Sequence, residues 1–410
     1  MPDSGTLKIS ILSSVGMIPI ENALISISYT GEPEATLMEV TTDSSGQTQI
    51  LSLDAPDVEL SLQADNLIQP YSEYNISVTA EGYEPAYVTG VEILATRLAL
   101  QNIMMTPLAV TNELSESIVI PAHTLYGNYP PKIPEAEIKP IDETGEIVLS
   151  RVVVPEYIIV HDGVPNDSTA PNYWVRYKDY IKNVASCEIY STWPESTIYA
   201  NILAIMSFTL NRVYTEWYRN MGYDFTITSS TAYDQKWVYG RNTFDNIDYL
   251  VDTIFTNYLS RPGVRQPIFT TYCDGNRTTC NGLSQWGSKY LGDQGYSAIE
   301  IIHYYYGNDM YINTADVVSG VPSSWPGYDL TIGASGEKVR TLQMQLNRIA
   351  RNYPAIPTIN ADGVYGPLTA EAVRTFQGIF NLPQTGITDY ATWYEISDIY
   401  VGVTRISEPG

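Results

Sequence analysis

The spacing of apolar residues changes along this chain, and the change limits the folds that it can adopt. Residues 1–108 contain short runs in which apolar and polar residues alternate, such as LKISIL, ALISISY and YNISVTA. Alternation with a period of two is typical of half-buried strands, so this region is predicted to be an all-β sandwich. Residues 329–405 carry apolar residues three and four positions apart, which predicts helices. Because 410 residues also exceed the roughly 250–300 that one core usually supports, we expect a multidomain protein.

Two stretches rich in proline and turn-forming residues divide the chain further. Residues 109–150 include PAHTLYGNYPPKIPEAEIKP and show little periodicity, which indicates an extended linker that is open to proteases. Between 151 and 320, strand-like runs mix with long helical segments, and this mixture predicts an α+β domain. The stretch VPSSWPGYD marks a second linker. The predicted order is therefore a β-sandwich, a linker, an α+β domain and a helical domain.

The composition excludes several classes of partner. Binding to nucleic acid or anionic lipid needs clustered Lys and Arg, which a net charge of -24 does not favour. No run reaches the roughly 18 apolar residues of a membrane span, and the N-terminus lacks the pattern of a signal peptide. The 33 tyrosines offer flat apolar faces with a polar tip, which suits carbohydrate. We expect no nucleic-acid partner and no membrane span.

Three cysteines are too few for a disulfide scaffold. Cys273 and Cys280 flank a short DGNRTT stretch and are candidates for a disulfide in an oxidising compartment. A metal site there is the weaker alternative because no nearby His completes a tetrad, and we expect neither a metal nor a cofactor. Cys187 lies in an apolar run and is interpreted as a buried free thiol, not as the nucleophile of a thiol peptidase with His161 or His303.

The C-terminal region carries a dense set of spaced motifs. The apolar residues of EKVRTLQMQLNRI and TAEAVRTFQGIF recur at helical spacing, DGVYGPLT supplies a turn between them, and TGITDYATW adds a third unit. The series resembles the three-helix peptidoglycan-binding domain. The matching positions are Leu342-Gln343, Leu346-Asn347, Asp362-Gly363, Tyr365-Gly366, Thr369, Ala372-Val373, Phe376-Gln377, Thr385-Gly386 and Thr392-Trp393. The resemblance implies that residues 329–405 bind peptidoglycan.

One carboxylate in the central region has the setting that cleavage of a glycosidic bond requires. Such cleavage needs a proton donor at the leaving oxygen, usually a carboxyl in a partly apolar environment. Glu188 is predicted at the end of a short helical segment, where Tyr190 and Trp193 can shield it from water. Glu195 also precedes the long helix, but a carboxylate there is interpreted as favouring the helix dipole. Glu188 is therefore the candidate catalytic acid.

Four motifs of the central region follow one another in a fixed order: YIKNVASCEIYSTWPES, YDQ, GLSQWGS and DQGYSAIEIIHYYYG. Over about 170 to 310 this order resembles the stage II sporulation protein D family of lytic transglycosylases. The resemblance places Glu188 on the family's catalytic glutamate. Met206 stands where the family has an arginine, and Arg212 is the alternative cation. The candidate substrate-binding residues are Tyr233, Asp234, Gln235, Ser284, Gln285 and Trp286.

The whole arrangement resembles the germination-specific spore cortex-lytic enzymes, and its first 108 residues resemble a prealbumin-like accessory domain. The resemblance implies a zymogen in the spore, outside the cytoplasm, with a pro-region that an activating protease releases by cutting within 109–150. The implied substrate is the glycan strand of peptidoglycan. Glu188 then protonates the glycosidic oxygen after N-acetylmuramic acid and takes the proton from the 6-hydroxyl, which closes a 1,6-anhydro ring.

Two other functions remain open at the level of the sequence. A hydrolytic muramidase needs a second carboxylate to position water or to attack the sugar, and Asp234 is the candidate. A structural or regulatory protein that binds the wall without cleaving it is the other possibility, encouraged by Met206 in place of arginine.

Overall fold

The computed structural model describes residues 3–108, 116–139, 152–317, 326 and 328–405. The N-terminal region is rich in β-sheet, as the alternating pattern predicts. Its strands are β1 (Asp3–Ser13), β2 (Leu24–Tyr29), β3 (Thr36–Thr41), β4 (Leu51–Ala55), β5 (Ser72–Thr79), β6 (Ala86–Ile93), β7 (Leu98–Met105) and β8 (Glu116–Val119).

These strands form two sheets. In one, β1 pairs antiparallel with β4 and parallel with β7. In the other the order is β3-β2-β5-β6-β8. Leu7, Ile9 and Ile11 of β1 are fully buried while the residues between them are half-exposed, so one face of this strand supplies the core. The hydroxyl of Tyr74 on β5 donates to the carbonyl of Asp54 on β4 at 2.7 Å, which links the two sheets.

The central region mixes short strands with five helices in the part of it that the structure describes. The long helix α2 is buried along almost its whole length, which fits its apolar composition on all sides. The elements are β9 (Val153–Val154), β10 (Tyr157–His161), β11 (Asn172–Arg176), α1 (Tyr177–Glu188), α2 (Glu195–Tyr214), β12 (Ile227–Thr228), β13 (Thr243–Phe244), α3 (Asp245–Ile254), β14 (Asn257–Ser260), β15 (Tyr272–Cys273), β16 (Leu283–Ser284), α4 (Gln285–Asp293), α5 (Ala298–Tyr306), β17 (Tyr311–Thr314) and β18 (Asp316–Val317).

The N-terminal and central regions share a sheet. Strand β13 pairs antiparallel with β7, so the central region adds an edge strand to the N-terminal sheet. Beside this pairing, Arg241 and Glu92 form a buried ion pair at 2.7 Å. The side chain of Asn242 hydrogen bonds to both the backbone N–H and the carbonyl of Glu92, each at 3.0 Å. The two regions therefore form one continuous body.

Residues 120–139 follow β8 and cross the central region without regular secondary structure; they are called the strap below. The backbone of the strap pairs with the central region: the N–H of Ile133 donates to the carbonyl of Ala232 at 2.7 Å. Further along, the carbonyl of Glu137 accepts from the N–H of Phe269 at 2.9 Å. Over 116–139 the structure thus differs from the open linker that the sequence predicts, because its polar groups have partners and part of it is buried.

The rest of that predicted linker, residues 109–115 and 140–150, lies outside the described residues, as does the processing site expected there. The expectation of proteolytic cutting therefore stays a prediction.

The C-terminal region is helical, and its helices fall where the apolar spacing predicts them. They are α6 (Glu337–Ala350), α7 (Pro367–Ile379) and α8 (Tyr390–Arg405). Helix α8 packs against α3 of the central region. The ammonium of Lys178 on α1 lies 2.9 Å from carboxylate oxygens of both Glu395 and Asp398 on α8, and 3.1 Å from Asp252 on α3. A buried charge cluster thus fixes the C-terminal helices to the central region.

Candidate active site

Glu188 is the last residue of α1, where the chain turns from helical to extended backbone at Ile189. One carboxylate oxygen accepts the backbone N–H of Lys236 at 3.0 Å. The other accepts the side-chain amide of Gln285 at 3.2 Å and the hydroxyl of Thr124 at 3.5 Å. These donors are neutral, and no ion pair involves Glu188 in the described part of the chain. Glu188 is 5% exposed, so it is shielded from bulk water.

Glu188 lines a cavity of about 120 Å³ between the central region and the strap. Gln285 and Tyr272 line it on the central side, and Thr124 and Lys132 line it on the strap side. Ligand sites for small molecules usually enclose about 300–1,000 Å³. With the strap in place, this space holds water but not a sugar chain.

The ammonium of Lys132 enters this cavity from the strap. It donates a hydrogen bond to the carbonyl of Asp234 and lies 4.5 Å from the centroid of the Tyr272 ring. Burial lowers the pKa of Lys132 from its usual value, and the charge of Glu188 acts in the opposite direction. The strap thus places a buried cation near the candidate catalytic carboxyl.

The structure brings Gln285, a predicted substrate-binding residue, next to Glu188. Ser284 lies one residue before it and caps α4, since its hydroxyl accepts the N–H of Gly287 at 2.9 Å. The ring of Trp286 packs against that of Trp193, with centroids 4.9 Å apart. Ser284 and Trp286 therefore support the shape of the site through a helix cap and aromatic packing.

Asp234 does not lie where a sugar can reach its carboxylate, contrary to its prediction as a substrate-binding residue. It is fully buried. One oxygen accepts from Arg212 at 2.7 Å, and the other accepts from the hydroxyl of Tyr218 at 2.6 Å and from the backbone N–H of Thr228 at 2.9 Å. Because these bonds occupy both oxygens, Asp234 also lacks the exposure that the second carboxylate of a muramidase needs.

The residues on either side of Asp234 in the chain also form hydrogen bonds with the core. Gln235 is fully buried, and its side-chain oxygen accepts from the hydroxyls of Tyr180 and Thr209 at 3.1 and 2.8 Å. Tyr233 is half-buried, and its backbone carbonyl accepts from the guanidinium of Arg212 at 3.1 Å. The YDQ motif therefore holds the core together behind the cavity, and neither Gln235 nor Asp234 is placed for direct contact with a substrate.

Arg212 forms a paired contact with the strap. Its two terminal nitrogens donate to the two carboxylate oxygens of Glu135 at 2.9 and 2.7 Å. Burial acts to raise the pKa of Glu135, but the hydrogen bonds and charge of Arg212 and then of Lys139 outweigh it and hold the pKa below its usual value. Such a two-point contact between guanidinium and carboxylate is among the stronger polar contacts in proteins.

Cys273 and Cys280 are joined by a disulfide in the structure, and the loop that they close borders the cavity. Within this loop, Arg277 donates to the backbone carbonyls of Tyr126 and Gly127 in the strap. The disulfide-closed loop thus contacts the strap at the edge of the cavity.

Cys187 is a buried free thiol. Burial raises its pKa to about 11, which leaves almost no thiolate at neutral pH. The two histidines considered as its bases have other partners: a ring nitrogen of His161 lies 2.8 Å from the side-chain oxygen of Asn172, and one of His303 lies 3.0 Å from the carbonyl of Met310. The geometry does not support thiol chemistry.

The sequence did not point to the strap residues of the site. Thr124 and Lys132 belong to a proline-rich stretch without periodicity, which is typical of linkers. Their positions depend on contacts with distant residues of the central region, so the stretch itself held no signal for them.

Neither a metal cluster nor a membrane-crossing helix is found in the residues that the structure describes. No group of three or more His, Cys, Asp or Glu side chains there is arranged to hold a metal ion. No helix there is long and apolar enough to span a membrane.

Comparison with known proteins identifies the C-terminal region. The family model of a putative peptidoglycan binding domain matches residues 335–396. This stretch contains α6, α7 and the loops that follow them, together with the start of α8. Residues 335–396 therefore form a peptidoglycan-binding domain, which associates the protein with the cell wall. No curated protein matches the chain.

Several solved structures match parts of the chain at low similarity. The Bacillus anthracis TIE protein is 18% identical, with a TM-score of 0.18, and the match covers 26% of this chain and 17% of that one. The minor pilin GBS52 of Streptococcus agalactiae is 14% identical, with a TM-score of 0.19 and coverage of 28% and 50%. The 5-hydroxyisourate hydrolase of Klebsiella pneumoniae is 18% identical, with a TM-score of 0.17 and coverage of 25% and 90%. At these TM-scores the likenesses carry no functional argument.

Proposed function

We propose that this protein is a lytic transglycosylase that cleaves the glycan strands of spore cortex peptidoglycan. The observation that carries the proposal is the setting of Glu188, a shielded carboxyl that neutral donors orient at the wall of a cavity. The peptidoglycan-binding domain is fixed to the same body through Lys178, so binding to the wall brings the cavity to the glycan.

In the proposed reaction one carboxyl acts twice. Glu188 protonates the glycosidic oxygen as the bond after N-acetylmuramic acid breaks. The resulting carboxylate then takes the proton of the 6-hydroxyl of the same sugar while that oxygen bonds to the anomeric carbon, closing a 1,6-anhydro ring. The amide of Gln285 and the N–H of Lys236 hold the carboxylate in place through both steps. No second carboxylate is required, which agrees with the complete burial of Asp234.

The proposal includes synthesis as a zymogen that a protease activates by cutting within 109–150, and a cut at 140–150 is the one that would free the end of the strap. The strap supports it, because its residues line the cavity beside Glu188 and leave too little space for a sugar chain. A cut after residue 139 frees one end of the strap. Activation then requires the strap to break its contacts with Arg212, Asp234 and Arg277 and to leave the cavity.

The test uses the full chain with a protease site introduced between residues 140 and 150. After cutting, the protein is incubated with cortex-type peptidoglycan, and the products are identified by mass spectrometry. We expect 1,6-anhydro ends from the cut protein and far fewer from the uncut one. Glu188→Gln should lower product formation by about 10²–10⁴-fold, since it removes the proton donor. Glu195→Gln, an exposed glutamate at the start of α2, is the matched control and should retain activity.

The alternatives give different products. Reducing ends that depend on Glu188 would identify a hydrolytic muramidase. If the cut protein binds peptidoglycan but releases nothing, the protein is a binding or regulatory component of the wall.

A further inference from the structure

Arg212 has the geometry of a receptor for a carboxylate. Its side chain is fully buried, yet the carboxylate that it holds, that of Glu135, is about 15% exposed. The acid therefore lies between the guanidinium and the solvent. The two terminal nitrogens of Arg212 both point to Glu135, so the position of Glu135 is a preformed two-point site for a planar anion.

The guanidinium also has contacts that do not involve Glu135. Its Nε donates to Asp234 at 2.7 Å, and one terminal nitrogen also donates to the carbonyl of Tyr233 at 3.1 Å. Asp234 is fixed in turn by Tyr218 and Thr228. These partners all belong to the central region, whereas Glu135 belongs to the strap. When the strap leaves, it removes the Glu135 carboxylate, and the oriented guanidinium of Arg212 remains in the central region.

A short stretch of chain connects this site to the candidate catalytic carboxyl. Asp234 accepts from Arg212, and the N–H of Lys236 donates to Glu188. The Cα atoms of Asp234 and Lys236 are at most about 7 Å apart, because only two residues of chain separate them. The strap contacts both the cavity and the Arg212 site. Lys132 donates to the carbonyl of Asp234 at the cavity, and Glu135, three residues later, accepts from Arg212.

We propose that Arg212 is a subsite for a stem-peptide carboxylate of peptidoglycan, which Glu135 of the strap occupies in this chain. The stem peptides of peptidoglycan carry free carboxylates beside the muramic acid at which cleavage is proposed. The proposal rests on the proposed function for the class of substrate, but it concerns binding and not bond cleavage. The strap thus blocks the sugar cavity and also satisfies the cation that would otherwise bind the substrate.

The test measures binding to the full chain that has been cut at the introduced protease site. The probes are a muramoyl dipeptide with a free terminal carboxylate and the same compound as its carboxamide, titrated by calorimetry. We expect the acid to bind about ten- to a hundredfold more tightly than the amide, because a hydrogen bond to a charged group contributes roughly 1.5–3 kcal/mol. Arg212→Lys should remove most of this preference, since a lysine lacks the two-point geometry.

A second variant keeps the test decisive if Arg212→Lys does not fold. Glu135→Gln leaves Arg212 intact and weakens its contact with the strap, so the uncut Glu135→Gln chain should bind the acid more tightly than the uncut parent. Equal affinity for acid and amide in the cut protein, or no binding of either, would overturn the proposal. A preference for the acid in a protein that releases no glycan products would retain the subsite and refute the transglycosylase.

Discussion

The peptidoglycan-binding domain and the central region both bury polar side chains, but they satisfy them in opposite ways. In the C-terminal domain, the amide oxygen of Gln343 accepts the N–H of Gly363 and that of Gln377 accepts the N–H of Gly386, both at 2.8 Å. Both glycines have positive φ, a backbone conformation that other residues rarely adopt.

The same pattern continues on the donor side of each glutamine. The amide nitrogen of Gln343 donates to the hydroxyl of Thr369 at 3.1 Å, and that of Gln377 donates to Thr392 at 3.0 Å. Each glutamine thus ties one helix to the next turn and helix through neutral bonds among nearby residues. These contacts form a structural repeat within the domain.

The central region also contains buried ion pairs, and these join residues that are distant in sequence. Arg212 joins Asp234 to Glu135 of the strap, 77 residues away, and Lys178 joins Asp252 to Glu395, 217 residues away. Neutral hydrogen bonds between nearby residues hold the turns and helices of the C-terminal domain together. The charged contacts of the central region instead join parts of the chain that are far apart in sequence.

The largest effect that bears on this comparison is expected at Lys178. Lys178→Met takes the shared cation from the partly exposed carboxylates of Glu395 and Asp398 and leaves Asp252 with its contact to Lys182. Breaking a buried ion pair of this kind costs up to about 3–5 kcal/mol. The free energy of unfolding, measured with denaturant at pH 7, should fall by this amount. Arg340→Met, at an exposed arginine of α6, should change it little. A small loss at Lys178 would mean that the charged cluster does not fasten the C-terminal helices.

A second effect should depend on pH. Burial raises the pKa of Asp248 on α3 to about 7, so the folded state keeps a proton that the unfolded state loses near its usual value of 3.8. Stability from this group is present at low pH and is lost as pH rises towards 7. Asp248→Asn should therefore reduce the loss of unfolding free energy between pH 5 and pH 8 by on the order of 1–3 kcal/mol.

Asp65→Asn, at an exposed position, is the control for this measurement and should leave the difference between the two pH values unchanged. If Asp248→Asn behaves in the same way, the ionisation of Asp248 does not set the pH dependence of the central region.

The smallest effect is expected in the peptidoglycan-binding domain. Gln343→Ala or Gln377→Ala leaves a glycine N–H and a threonine hydroxyl short of a partner, which costs about 1–3 kcal/mol. Because the bonds are neutral, the loss should be the same at pH 5 and pH 8. Gln384→Ala, at an exposed glutamine in the neighbouring loop, should cost almost nothing. A loss that varies strongly with pH would remove the contrast between the two regions.

The sequence predicts well those elements that depend on residues near one another in the chain. The three C-terminal helices follow from apolar spacing and turn glycines, and the end of α1 at Glu188 follows from the same kind of pattern. In each case the residues that determine the element are neighbours in sequence. The structure places Gln285, a residue of the GLSQWGS motif, beside Glu188, and its role in substrate binding stays a prediction.

What the sequence does not predict is set by contacts between distant residues. Asp234 belongs to a motif from which substrate-binding residues are predicted, but its carboxylate is buried in the core, where it accepts hydrogen bonds from Arg212 and Tyr218. The strap lacks helical or strand periodicity because each of its side chains fits a separate place on the central region, such as Arg212 for Glu135. A pattern search along the chain has no means of detecting such a match.

The pairing of β13 with β7 has a consequence for how a processed form of this protein would behave. A broken peptide bond between residues 139 and 152 leaves the ladder between Thr243–Phe244 and Ala99–Leu100 intact, and with it the buried Arg241–Glu92 pair. The two pieces would separate on a denaturing gel yet elute together from a sizing column. The two pieces would then separate by dissociation of a heterodimer, so the extent of separation would depend on protein concentration and time as well as on the protease.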